Sequence, residues 1–262
     1  MERDHNSEDD VNRREFLQTG AGAAAVAAVP PGPAAPLTWS ELLALKRYDA
    51  PTVANAIETL NVRPRSAGFM RPEIRCIFPE LGVMAGYAVT ARMRAARPPA
   101  PADKPAVNFD WWDFILKTPP PRVIVIQNLD DPPAVGSFWG EVQGNIHKAL
   151  GCAGAVTNGG VRDLNEVGPL GFHFFAQHVI VSHAYVYMID FGGPVEIGGL
   201  TIRTGDLMHA DRHGVQVLPI EIARHIPAAA EKVIARERRI IDYCKSPEFT
   251  PEGLKQLMRG LT

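Results

Sequence analysis

The sequence predicts an α/β fold built on a mixed, partly parallel sheet, and three observations carry that reading. Residues 122–127 (Arg-Val-Ile-Val-Ile-Gln) form an unbroken β-branched run, the pattern of a strand buried on both faces. A helical pattern follows over 136–150, with Val142, Ile146 and Leu150 on one face, and then a second apolar run at 153–158. Strand, helix and strand in that order make a βαβ unit, whose strands are parallel. From residue 179 to 218 the chain turns to short β runs separated by glycines, so later strands join the sheet in other directions.

The other elements follow in order. A short helix is expected at 40–48 with Ser40 as N-cap. Asp49-Ala50-Pro51-Thr52 starts a second helix, with Val53, Ile57 and Leu60 spaced for one apolar face. Residues 84–91 read as a strand, 96–106 as a Pro- and Ala-rich exposed loop, and 111–116 as a short helix. Gly151 ends the helix of the βαβ unit. Gly159-Gly160 predicts a tight turn directly after the second strand. A short buried strand is expected at 172–176, and further strands at 195–197, 200–203, 206–208 and 215–218. A long helix at 219–243 and a shorter one at 251–259 close the chain.

Composition narrows the function. Of 262 residues, 46% are hydrophobic and 21% charged, which excludes disorder across the whole chain. The net charge of −2 argues against a nucleic-acid partner, which calls for a basic surface. Cys76, Cys152 and Cys244 are too few for a disulfide framework.

Residues 1–35 read as an address. Asn12-Arg13-Arg14-Glu15-Phe16-Leu17 precedes a weakly apolar Ala/Gly run over 19–29 and then Pro30, Pro31 and Pro33. This resembles a twin-arginine export signal, and the run is too short to span a bilayer, which needs about 20 apolar residues. The expected product is a periplasmic or otherwise exported protein with no membrane insertion after cleavage. The acidic residues ahead of Arg13 allow a true start downstream of Met1. Residues 1–35 hold three basic and six acidic residues, leaving 24 basic and 23 acidic in a single expected domain, 36–262.

Chemistry is expected at the C-terminal ends of the parallel strands, where open α/β sheets bind ligands. Gly140-Glu141-Val142-Gln143-Gly144 opens a helix, and free N–H groups there suit a carboxylate, although a plain connection would read the same way. Arg162-Asp163 is the stronger cluster. An arginine grips a carboxylate with two parallel hydrogen bonds, and an aspartate is a hard ligand for Mg²⁺. A 2-oxo acid calls for both. The plainer alternative is a local salt bridge capping a helix.

Gly140-Glu141-Val142, the block 154–163 (Gly-Ala-Val-Thr-Asn-Gly-Gly-Val-Arg-Asp), Thr204-Gly205-Asp206 and Ala210-Asp211-Arg212-His213-Gly214-Val215 together resemble the RraA-like family. That family holds divalent-metal-dependent class II pyruvate aldolases (4-hydroxy-4-methyl-2-oxoglutarate aldolase) that also decarboxylate oxaloacetate, and non-catalytic ribonuclease regulators. The resemblance implies a compact α/β/β/α sandwich assembled as a homotrimer or hexamer. It implies Mg²⁺ or Mn²⁺ on Asp163, Arg162 on the substrate carboxylate with the amides of Val142 and Gln143, and Glu141 orienting metal-bound water. It also implies a glutamate reaching in from a neighbouring subunit, Glu237 by spacing, with Glu231 as the second choice. The small partner is a 2-oxo acid; the alternative is a non-catalytic trimeric regulatory or binding protein. This chain departs from the family at Gln177, where a basic residue is common.

Histidines offer a zinc site on paper, at His209 and His213 or among His173, His178 and His183. Ordinary hydrogen-bonded or surface roles are the better reading. No Gly-x-Ser-x-Gly elbow points to a serine hydrolase.

Overall fold

The computed structural model describes residues 35–261; the expected leader, save its last residue, lies outside the described residues. Two helices come first, α1 (Trp39–Leu45) and α2 (Ala50–Leu60). The cap of α1 is Thr38 rather than Ser40. Thr38 Oγ1 accepts the N–H of Glu41 at 3.4 Å while Glu41 Oε2 accepts the N–H of Thr38 at 2.7 Å, a reciprocal box that satisfies two donors at once. Asp49 caps α2 by accepting the N–H of Thr52 at 2.9 Å, and Pro51 sits in the first turn, where its missing N–H costs nothing.

The strands are β1 (Arg75–Cys76), β2 (Met84–Arg94), β3 (Arg122–Asn128), β4 (Cys152–Val161), β5 (His173–Val179), β6 (Tyr187–Phe191), β7 (Val195–Ile197), β8 (Leu200–Ile202), β9 (Leu207–Asp211) and β10 (Gly214–Leu218). The intervening helices are α3 (Asn108–Leu116), α4 (Glu141–Ala149) and α5 (Leu164–Val167), and α6 (Ile226–Lys245) and α7 (Pro251–Arg259) follow the last strand. The main sheet runs β1-β5-β4-β3-β2-β9-β10, with β6 paired to the far half of β2. Strands β2 to β5 are mutually parallel, and β1, β6, β9 and β10 are antiparallel to their neighbours. The predicted mixed, partly parallel sheet is what forms.

Side chains of β2, β3 and β5 alternate across this sheet. Val123 and Val125 of β3, Val156 of β4, Phe175 of β5 and Val215 of β10 belong to one apolar cluster, together with the β7–β8 hairpin. Phe175 and Val215 come from opposite ends of the sheet, so the sheet is curled around that cluster. One segment spans the gap: Phe69 pairs with Gln216 of β10, and β1 pairs with β5. The helices lie on the outer side in two groups. Trp111 of α3, Trp139 and Val167 of α5 cover Ile124, Ile126 and Phe174. Residues of α1, α2 and α6 cover Tyr87, Leu207 and Leu218. Helices, one arm of the sheet, the other arm and helices again give the α/β/β/α order.

Two sequence expectations are corrected at the centre of the βαβ unit. The helix starts at Glu141, because Gly140 is extended and Trp139 bridges to Val161 of β4 in parallel register. Gly159-Gly160 is not a turn. Strand β4 continues through both glycines to Val161, with a register shift against β5 between Thr157 and Gly160. A side chain at Gly159 would press on Thr157 Oγ1, Asn128 and Met93 at 3.2–3.4 Å, so the glycines serve close packing.

Candidate active site at the C-terminal sheet edge

The turn the sequence places at Gly159-Gly160 falls instead at Asp163. Its backbone is left-handed (φ 56°, ψ 46°), a conformation that aspartate tolerates better than most residues. The reversal swings the Asp163 side chain back toward the start of α4. There Oδ2 accepts the N–H of Glu141 at 2.9 Å. Asp163 makes no capping bond to its own helix α5. It caps α4 across 22 residues of chain, placing negative charge at the positive end of that helix.

Gly140 is required by this approach. A Cβ there would collide with Asp163 Oδ2 and sit 3.2 Å from Arg162 Nε. The first helical hydrogen bond of α4 runs from Gly144 N–H to Gly140 O at 2.8 Å. The N–H groups of Glu141, Val142 and Gln143 therefore have no acceptor within the helix, and Asp163 takes the first of them. Val142 and Gln143 stand beside a carboxylate–guanidinium pair with their amides free.

Arg162 is held by its backbone, whose N–H donates to Trp139 O at 3.2 Å. Its guanidinium makes one long hydrogen bond, from Nη1 to Val181 O at 3.5 Å. Nε lies 3.7 Å from Asp163 Oδ2, too far for a hydrogen bond. About a third of each side chain is exposed, so this is not the tight bidentate pair of a structural salt bridge. Most of the guanidinium's donors remain available at the surface.

Residues that sequence reasoning missed hold this edge in place. Buried Ser137 places its Oγ 2.6 Å from Trp139 O and 2.7 Å from Gly160 O, sharing its one proton between them, and Oγ accepts the N–H of Trp139 at 3.0 Å. Asn158 Oδ1 accepts the N–H of Asn128 while its Nδ2 donates to Asn128 O, at 2.7 and 2.9 Å, locking β4 to β3 just before the site. Behind α4, Trp111 Nε1 donates to His147 Nε2 at 3.1 Å, and His147 Nδ1 bonds Gln143 O at 2.8 Å. Burial pushes the His147 pKa down to about 4, so the ring is neutral and Nδ1 carries the proton.

A divalent cation is compatible with this donor set. Asp163 spends Oδ2 on the helix cap and keeps Oδ1 for a ligand, and Glu141 is exposed beside it. Among the described residues no group of three His, Cys, Asp or Glu gathers in a metal-ligand cluster. A closed zinc site is therefore not formed by the histidines. His209 is buried against Gln216, His213 bonds Asp211 in the β9–β10 turn, and His178 and His183 are exposed. One carboxylate and several waters suit Mg²⁺ or Mn²⁺, which keep much of their hydration.

The two candidate glutamates of α6 are engaged elsewhere in their own chain. Glu231 Oε1 accepts the Tyr48 hydroxyl at 2.5 Å and pairs with Arg47 at 3.6 Å. Glu237 accepts from Asn55 Nδ2 at 3.3 Å. Neither joins Arg162 or Asp163 within one chain.

Fold and site together define a curled α/β/β/α protein with a carboxylate, a guanidinium and free amides at one sheet edge. The model of the RraA-like (Aldolase/RraA) family matches residues 50–217, and the chain belongs to that family. A twin-arginine translocation signal sequence matches residues 10–30. Among the described residues no helix is long and apolar enough to cross a membrane. A Halalkalibacterium halodurans protein, provisionally named 4-hydroxy-4-methyl-2-oxoglutarate aldolase, is 32% identical over 128 residues, 47% of this chain and 60% of the relative. Protein DlpA of Legionella pneumophila is 27% identical over 130 residues, 49% of this chain and 21% of the relative. The chain thus matches less than two thirds of the length of each. Among solved structures, an uncharacterized Pseudomonas syringae protein superimposes with a TM-score of 0.67 at 24% identity, covering 88% of this chain and 98% of that one. Streptomyces coelicolor RraAS2, described as an unusual member of the RNase ES inhibitor RraA family, gives 0.59 at 22% identity, covering 77% and 96%. Both are likenesses of fold.

Proposed function

We propose that this chain is the subunit of an exported, periplasmic carbon–carbon lyase that uses Mg²⁺ or Mn²⁺ and acts on a 2-oxo acid. The observation that carries the reading is the reach of Asp163 to the N–H of Glu141. It brings a carboxylate, the Arg162 guanidinium and the free amides of Val142 and Gln143 to one edge of the sheet.

In this reading Arg162 receives the substrate carboxylate, with the two amides of α4 as further donors. A divalent cation held by Asp163 would supply Lewis-acid stabilisation of the charge that develops on the keto oxygen. Glu141 orients water at the same edge and passes on the proton lost by the 4-hydroxyl. As that proton leaves, the bond between C3 and C4 breaks, a carbonyl forms at C4 and the electron pair passes to the pyruvate enolate. Protonation at C3 then gives pyruvate. Oxaloacetate reaches the same enolate by losing CO₂. Glu237 of an adjacent subunit, in a homotrimer or hexamer, completes the site, with Glu231 as the alternative.

The test is pyruvate release from a small panel of 4-hydroxy-2-oxo acids and oxaloacetate, after chelation and again after Mg²⁺ is restored. Turnover that disappears with the chelator and returns with Mg²⁺ supports the lyase. No release from any member, by a folded oligomer, favours the non-catalytic binding protein.

A further inference from the structure

A second site stands at the other end of the sheet. A cavity of about 290 Å³ opens where β3, β4 and β5 begin, away from Arg162 and Asp163 at the end of β4. Trp39, Leu43 and Pro121 form its apolar wall, and Lys46, Lys148 and His173 supply its polar groups. Its α1 side lies outside residues 50–217, so the cavity is not built from the family-matched region alone.

The polar groups are unbalanced. Among the described residues no aspartate or glutamate lines the cavity. Among the described residues the Lys148 ammonium bonds only a neutral carbonyl, Gly171 O at 3.0 Å, and Lys46 has no carboxylate partner. His173 is 6% exposed, and its buried Nδ1 has no hydrogen-bond partner among the described residues. A buried polar atom left unpaired costs about 1–3 kcal/mol, so its retention calls for a reason. Partial burial and the charge of Lys148 pull the Lys46 pKa below that of an ordinary lysine. The wall is equally unusual: Trp39 is 64% exposed and Leu43 44%. Two cations beside an open indole are complementary to a group that is anionic at one end and flat and apolar at the other.

We propose that this cavity binds a small aromatic carboxylate. Its carboxylate lies between the ammonium groups of Lys46 and Lys148, and its ring packs on Trp39. The volume sits at the lower end for small-molecule sites, which restricts the ligand to roughly one ring and a short acid arm.

Phenylacetate is the probe, titrated by calorimetry into the exported protein at low salt, with 2-phenylethylamine as the cation of matching shape. The expected result is saturable binding of phenylacetate and none of the amine. Lys46→Met and Lys148→Met should each weaken binding about tenfold or more, as expected for losing a charge-assisted hydrogen bond. Trp39→Ala, at an exposed position that leaves the core intact, should weaken it as well. Arg162→Lys should leave phenylacetate binding unchanged, which separates this site from the proposed lyase site. Absence of saturable binding overturns the proposal, as does equal binding of the amine. Affinity lost in Arg162→Lys but kept in both lysine variants places the ligand at the other end and overturns it too.

Discussion

The carboxylate of Asp163 caps a helix that begins 22 residues earlier, Oδ2 accepting the N–H of Glu141 at 2.9 Å. One hydrogen bond thereby fixes the strand end that carries Arg162 against the helix start that carries two free amides. Side chains placed this way are held by the sheet and by α4 rather than by a mobile loop.

Gly140→Ala tests that relationship. Its backbone (φ −167°, ψ −165°) is open to alanine, so the new methyl acts only by displacing Asp163 Oδ2 and crowding Arg162 Nε. Activity should fall about 100-fold, the usual cost of a misplacement near 1 Å. Stability should drop only by the loss of one cap, about 1 kcal/mol. Pyruvate-release kinetics beside a melting curve check both.

Arg162→Lys keeps the charge and loses the fork. With the guanidinium bonded only to Val181 O at 3.5 Å, little structure depends on it. We expect kcat/KM to drop by a factor of about 100 with the melting temperature nearly unchanged. A clear loss of melting temperature with kinetics intact would instead mark a structural salt bridge.

Stability should fall in mild acid. His147 is fully buried and His173 nearly so, and burial, joined at His173 by nearby Lys46 and Lys148, pushes both pKa values to about 4. The unfolded chain takes up these protons near pH 6.5, before the folded one does. Stability from the two neutral rings is complete above pH about 6.5, declines as pH falls, and is gone below about 4. The full effect is roughly 3 kcal/mol per histidine. Denaturant midpoints at pH 7.5, 6 and 5 measure it, and a flat profile would contradict the burial argument.

The proposed sharing of Glu237 between subunits predicts complementation. Glu237→Gln and Asp163→Asn subunits should each be inactive alone, yet mixed oligomers should regain a fraction of activity, because some sites then draw both intact residues from different chains. Mixed oligomers that stay inactive would place Glu237 outside the site.

The proposed export rests on Arg13-Arg14 within the twin-arginine match. Changing both to lysine should leave the protein in the cytoplasm, since the receptor reads the guanidinium pair. Cell fractionation shows the outcome, and undiminished delivery of the variant would remove the periplasmic assignment.

Much of this architecture was legible from residue patterns. The β-branched run became β3, and the glycine-spaced runs after residue 179 became the hairpin β7–β8 and the pair β9–β10. What escaped was tertiary in origin. Gly159-Gly160 looks like a turn, but its glycines serve close neighbours while Asp163 supplies the reversal. Residues 69–76 show no clear periodicity, because they bridge two sheet edges by pairing with one residue of β10 and two of β5. Ser137 and Asn158 were silent because a hydroxyl or amide positions a backbone only through partners far along the chain. The Thr38-x-x-Glu41 box has a spacing signature, but the cap expected from the sequence is Ser40 instead.

Asp163→Asn gives the most direct test of the proposed lyase. Asparagine keeps the shape and still offers an oxygen to the N–H of Glu141, so the α4 cap survives while the charge needed for a divalent cation is gone. Measured together, pyruvate release with saturating Mg²⁺ and the melting temperature should show activity abolished and stability nearly unchanged. Full cleavage of 2-oxo acids by Asp163→Asn, accompanied by a lowered melting temperature, would contradict the account.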